Sequence, residues 1–234
     1  MSRLMTFPGI FNSFKKNMNT KTFKERMAVL ALLGNIERQL CSELALFTAN
    51  NITHITPMTE VCTYMRKEDH ISGNKRKTRK YDLGLFNNGK MKSLVEAKYV
   101  TNLHGNTKYP ANDNIKPSIT SLNAQLKNPW GWIKSGDETK LTLHNMPVYG
   151  ILFGCYKSEQ IDREGIEIKK WNDTYITPFF INASASTQQY YTQTVQPDQS
   201  DLLTSYPVDF CGKKWYVTLQ MQLVVRAGHL LYLP

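Results

Sequence analysis

The stretch KYDLGLFNNGKMKSLVEAKYV, Lys80 to Val100, decides how this chain is read. Two apolar runs flank an Asn-Asn-Gly turn, the signature of a β-hairpin. Each arm also carries charge: Asp82 on the first, Glu96 and Lys98 on the second. Residues two apart on a strand share a face, so Glu96 and Lys98 point together, and Tyr81, Leu83 and Leu85 form an apolar face opposite Asp82. The turn sets where the acids meet. A two-residue Asn88-Gly89 turn pairs Asp82 with Val95, and the acids diverge. A three-residue Asn87-Asn88-Gly89 loop pairs Asp82 with Leu94 and leaves Glu96 as its same-face diagonal neighbour, roughly 7–8 Å away. The odd-length loop, or an equivalent bulge, is expected, because that register makes the charges converge.

Two close carboxylates repel unless a cation joins them. Hard oxygen ligands with open positions suit Mg²⁺, with Mn²⁺ able to substitute, better than zinc. Lys98 would add a fixed positive charge beside an attacking water or a scissile phosphate. The Glu-x-Lys spacing alone carries little, since it occurs three times, at 96–98, 138–140 and 167–169. Only the first follows an apolar strand, a Gly turn and an opposing strand Asp. The plain alternative for Asp82, Glu96 and Lys98 is a solvated strand face with a salt bridge.

Working outward, residues from about Thr22 to Asn50 read as one long helix, with Val29, Leu33, Ile36, Leu40, Leu44 and Phe47 on a stripe. TEVCTYMRK, Thr59 to Lys67, reads as a strand. IKPSITSLNAQLK spaces Ile115, Ile119, Leu122 and Leu126 as a helical face, with Pro117 in its first turn. PVYGILFGCY, Pro147 to Tyr156, reads as a strand buried on both faces. GIEIKKW and KKWYVTLQMQLVV read as further strands, separated by a long polar loop. The expectation is an α/β (α+β) fold in one domain, 1–234, with an αβββαβ core over about 22–156. That core would hold a central mixed sheet flanked by helices, and 157–234 would add further strands.

The chain carries 29 Lys+Arg against 19 Asp+Glu. The excess lies before Pro117, and five of its charges fall in GNKRKTRK: Lys75, Arg76, Lys77, Arg79 and Lys80. Such a loop is a plain solvated segment or the footprint of a polyanion such as DNA. It enters the charged hairpin directly, so phosphate-binding charge would adjoin the metal site. No apolar run approaches a membrane span or a signal peptide. Four scattered cysteines without paired spacing point to reduced thiols in a cytoplasmic protein. The five histidines lack metal-ligand spacing. Trp130 and Trp132 fit loop anchoring better than base stacking. There is no GxSxG, Walker loop or GxGxxG.

Asp82 as the lone acid, Glu96-Ala97-Lys98 as the (D/E)xK element and the αβββαβ order together resemble the PD-(D/E)xK nuclease superfamily, the restriction-endonuclease-like fold. Tyr81 stands where the motif's proline would. The resemblance implies a Mg²⁺-dependent deoxyribonuclease. In it Asp82 and Glu96 hold the metal, Lys98 orients water or stabilises charge, and the first helix adds a glutamate. Glu37 and Glu43 both qualify by periodicity. The context NIERQLCSEL is similar to the ER-x-L helix of archaeal junction resolvases, which favours Glu37. Gln125 resembles a second-helix polar residue of some members. Size and the absence of an ATPase segment favour an endonuclease, by fold-level analogy restriction-type and homodimeric. The alternatives are a junction-resolvase-like nuclease and a non-catalytic nucleic-acid-binding protein keeping the fold.

Overall fold

The computed structural model describes residues 6–18, 20–34, 36–64, 78–102, 117–118, 121–122, 126, 132–134, 140–142, 147–161, 166–176, 190–192 and 202–226. Three helices come first: α1 (Phe7–Asn17), α2 (Lys21–Leu33) and α3 (Ile36–Asn51). In α1, Phe7, Ile10, Phe11 and Phe14 recur at helical spacing and are buried, so one face is entirely core. Lys15 and Lys16 sit in its last turn, where positive charge complements the helix dipole.

The single helix expected over 22–50 is two. Gly34, at φ +82, caps α2 in the left-handed conformation, the ordinary way for a helix to stop. Val29 and Leu33, expected on the buried stripe, are consequently exposed, whereas Ile36, Leu40 and Leu44 are buried.

Among the described residues nine strands form one sheet: β1 (Thr56–Tyr64), β2 (Thr78–Asn87), β3 (Lys90–Thr101), β4 (Trp132–Lys134), β5 (Lys140–Thr142), β6 (Val148–Ser158), β7 (Tyr190–Thr192), β8 (Leu202–Phe210) and β9 (Lys213–Arg226). Six are long; β4, β5 and β7 have three residues each. The order is β5-β4-β1-β2-β3-β6-β9-β7, with β8 also paired to β9. β3 and β6 run parallel and the other pairs antiparallel. A parallel pair needs a crossover. The described residues of 117–126, all helical, lie on that crossover.

Helices cover both sheet faces. One core joins α1–α3 to Leu83, Leu85, Val95, Ala97, Ile151, Phe153 and Leu219. The other joins Leu122, Leu126, Ile168 and Trp171 to Val61, Tyr81, Leu94, Val100, Leu152 and Val224. β6 alternates between the two cores, as expected of a strand buried on both faces. The chain is thus a mixed α/β protein whose sheet is flanked by helices.

GIEIKKW is not a strand. Ile166–Trp171 forms helix α4, continued by a π-helical turn over Asn172–Ile176. Its buried residues, Ile168 and Trp171, are three apart, a helical spacing. The loop expected before β9 contains β7 and is followed by β8. Asn172 and Gln220 are both buried and exchange two hydrogen bonds, Asn172 Nδ2 to Gln220 Oε1 at 2.9 Å and Gln220 Nε2 to Asn172 Oδ1 at 2.6 Å. Among the described residues no helix is long and apolar enough to cross a membrane.

Candidate functional site

The hairpin turn is shorter than expected. Asn87 pairs with Lys90 around a two-residue turn, and Asn88 and Gly89 both have positive φ, +50 and +71, as a type I′ turn demands. A bulge between Leu85 and Phe86 then shifts the register, so that Leu83 pairs with Val95. The shift runs opposite to the expected one: continued, the ladder would set Asp82 against Glu96, not Leu94. It ends at Leu83–Val95 instead. Tyr81 packs in one core and Leu83 and Leu85 in the other, so the single apolar face expected for these three breaks at Asp82. β1 deforms at the same level, where Glu60 has φ +55 and is skipped between the pairs Thr59–Leu83 and Val61–Tyr81.

Beyond Val95, two carboxylates take the place of the missing strand. Ala97 N–H donates to Asp82 Oδ2 at 2.7 Å, and Tyr99 N–H donates to Glu37 Oε2 at 2.8 Å. Glu37 arrives from the first turn of α3. Lys98 Nζ donates to Glu96 Oε1 at 2.5 Å and to the Ala97 carbonyl at 3.0 Å, and it stands 4.0 Å from Glu37 Oε1. Asp82, Glu96, Lys98 and Glu37 therefore meet where β2 leaves β3. A cleft of about 200 Å³ opens beside them, lined by Glu37, Arg38, Cys41, Ser42, Thr59, Glu60 and Asp82. It has room for a hydrated ion and several waters.

Three acids here share one ammonium. Burial pushes the Glu37 carboxyl above its ordinary value, against the pull of Lys98. Burial does the same to Asp82, against the Ala97 N–H and Lys98. Burial draws Lys98 down, but Glu96, by charge and by hydrogen bond, together with the charges of Glu37 and Asp82, more than offsets this and leaves the ammonium raised. The Cys41 thiol is pushed well up, first by burial and then by Asp82 and Glu37, so it is a neutral wall of the cleft.

Glu43, the other helix candidate, faces away and binds Arg26 Nη2 at 2.8 Å and Gln39 Nε2 at 2.9 Å. Arg79 and Lys80 lie on β2 just before Asp82. Lys75, Arg76, Lys77, Gln125 and Trp130 lie outside the described residues, and Trp132 begins β4. Sequence reasoning missed Arg38 and Glu60. Arg38 follows Glu37 in the ER pair and was within reach, but nothing in TEVCTY reveals the left-handed residue that turns Glu60 toward the cleft.

Among the described residues no three His, Cys, Asp or Glu side chains form a ready-made metal cage. The donors fit a hard divalent cation in kind: the carboxylates of Asp82, Glu96 and Glu37 and the carbonyl of Ala97 are all oxygen. Three of these four groups now surround the Lys98 ammonium. Compared with protein-family models, curated proteins and solved structures, the chain matches none.

Proposed function

We propose that the chain is a Mg²⁺-dependent nuclease that hydrolyses DNA phosphodiester bonds on a restriction-endonuclease-like core. One observation carries the reading: Glu96 and Glu37 flank Lys98 at the break between β2 and β3, and Asp82 closes the same break on the Ala97 N–H. The order α3-β1-β2-β3, helical crossover, β6 parallel to β3 supports the core assignment. Asp82, Glu96 and Glu37 would hold the ion, together with the Ala97 carbonyl. A bound divalent cation would supply a water of lowered pKa and offset charge on the phosphoryl group. Lys98, already raised in pKa, would keep its proton and hold the attacking water or the anionic phosphate. Arg79 and Lys80 would draw in the backbone of the nucleic acid.

The test is cleavage of supercoiled plasmid with Mg²⁺ or Mn²⁺, wild type beside Asp82→Asn and Lys98→Met. Cleavage by wild type alone, abolished by EDTA, is the expected result. Preference for a four-way junction over linear duplex would place the protein with the resolvases. A second reading, a nucleic-acid-binding protein without turnover, is favoured by the ammonium that already neutralises Glu96. Salt-sensitive binding in all three proteins, with no cleavage of any substrate, would establish it.

A further inference from the structure

The cleft beside the site has a charged rim. Glu60 bridges two cations, one on each carboxylate oxygen: Arg38 Nη2 lies 3.7 Å from Oε1, and Lys80 Nζ lies 3.9 Å from Oε2. Arg38 comes from α3, Lys80 from β2 and Glu60 from β1, so three elements converge on one carboxylate. All three side chains are more than half exposed, at 87%, 65% and 53%. Pairs of that exposure hold weakly and exchange readily. Glu60 also keeps a left-handed backbone, which a β-strand gives a non-glycine residue only against steric resistance. That conformation turns its carboxylate out of the strand's alternation and onto the cleft that Asp82 and Glu37 line.

Resting on the nuclease reading, we propose that Arg38 and Lys80 form a phosphate clamp on the rim of the cleft, and that Glu60 fills this clamp as a built-in stand-in for a backbone phosphate of the nucleic acid. A carboxylate that divides its two oxygens between two cations presents the same pattern as the two non-bridging oxygens of a phosphodiester. An incoming phosphate would displace Glu60, with the guanidinium able to meet it through two parallel N–H bonds. Glu60 then acts as a competitor. It lowers affinity for any polyanion, and it keeps Arg38 and Lys80 turned toward one point.

The test is binding of a fluorescein-labelled DNA duplex in EDTA, read by anisotropy across a salt series. Metal and turnover then play no part. Removing the competitor in Glu60→Gln is expected to tighten binding by about two- to fivefold at low salt. It is also expected to steepen the dependence of log K on log salt by about 0.9 per cation freed to meet phosphate. Arg38→Ala and Lys80→Ala are expected to weaken binding and flatten that slope. Glu60→Gly removes both charge and backbone strain, so it should bind as Glu60→Gln does while melting higher. Unchanged or weaker binding by Glu60→Gln and Glu60→Gly, with melting temperatures at or above wild type, would overturn the proposal. Wild-type protein that binds no nucleic acid in any form would overturn the nuclease reading itself. Wild-type binding with no response in the Glu60 variants would overturn the clamp alone.

Discussion

Asp82→Asn separates the structural work of the site from its chemistry. Asp82 Oδ2 accepts the Ala97 N–H at 2.7 Å, and an asparagine keeps an acceptor oxygen in that place. What it loses is the charge, which burial disfavours and which Ala97, Lys98 and Arg38 only partly offset. Because the folded carboxyl lies above its ordinary value of 3.8, its contribution to stability is fully present below that value. The contribution is lost as pH rises through the elevated folded value. At neutral pH the wild type therefore bears a penalty that the variant lacks. Loss of charge assistance in one hydrogen bond costs about 1 kcal/mol, and the raised carboxyl shows that desolvation and repulsion exceed it. The variant is therefore expected to melt above the wild type at neutral pH, each 1 kcal/mol of difference moving Tm by roughly 2–4 °C in a chain of this size. Calorimetric melting in EDTA from pH 8 down to pH 4 should show the variant melting higher at the alkaline end, with the two curves meeting as Asp82 protonates. Adding Mn²⁺ should raise the wild-type Tm and leave the variant nearly unmoved, since a ligand at a hundred times its Kd stabilises by about 2.7 kcal/mol. A variant that melts lower at every pH would refute the reasoning, because it would make the ionised carboxylate a structural asset.

Three further outcomes are expected. Glu37→Gln should lower plasmid cleavage by about 10²-fold or more, whereas Glu43→Gln, which perturbs only the partly exposed Arg26 and Gln39 contacts, should stay within about twofold of wild type; equal losses in a cleavage time course would place both on the site. Gly154→Ala would bring a Cβ within 2.5 Å of the Gln220 side chain, which is locked to Asn172. Urea denaturation should register a loss of about 1–3 kcal/mol. Leu83→Ala, at a fully buried position in the core beneath α1–α3, should cost about 2–5 kcal/mol by the same assay.

The hairpin and its charges were legible because Gly89, the apolar runs and the period of two are local signals. The register was not. It depends on the bulge at Leu85–Phe86 and on the point where β2 peels from β3, and no single residue announces either. β6 and β9 were legible from their length and apolar content. Pro207 hides β8, and it is tolerated because β8 pairs with β9 alone among the described residues. The helix at Ile166–Trp171 is masked in the sequence because apolar residues at 166 and 168 satisfy a strand pattern, while burial selects 168 and 171. Gly34 sits without a local stop signal inside a long apolar stripe, although its left-handed conformation ends α2. In the sequence only the resemblance separates Glu37 from Glu43, and the hydrogen bond to Tyr99 supplies the geometric reason.

The two carboxylates that finish the β3 ladder give the protein a natural reporter. Amide protons held by a neighbouring strand exchange with solvent only when the sheet opens, but those of Ala97 and Tyr99 are held by Asp82 and Glu37. Whatever draws those oxygens elsewhere, a cation above all, leaves the two amides exposed without unfolding anything. Occupancy of the site would thus be written in the deuterium uptake of two backbone positions, legible even for a ligand that leaves the fold and the fluorescence of the protein unchanged.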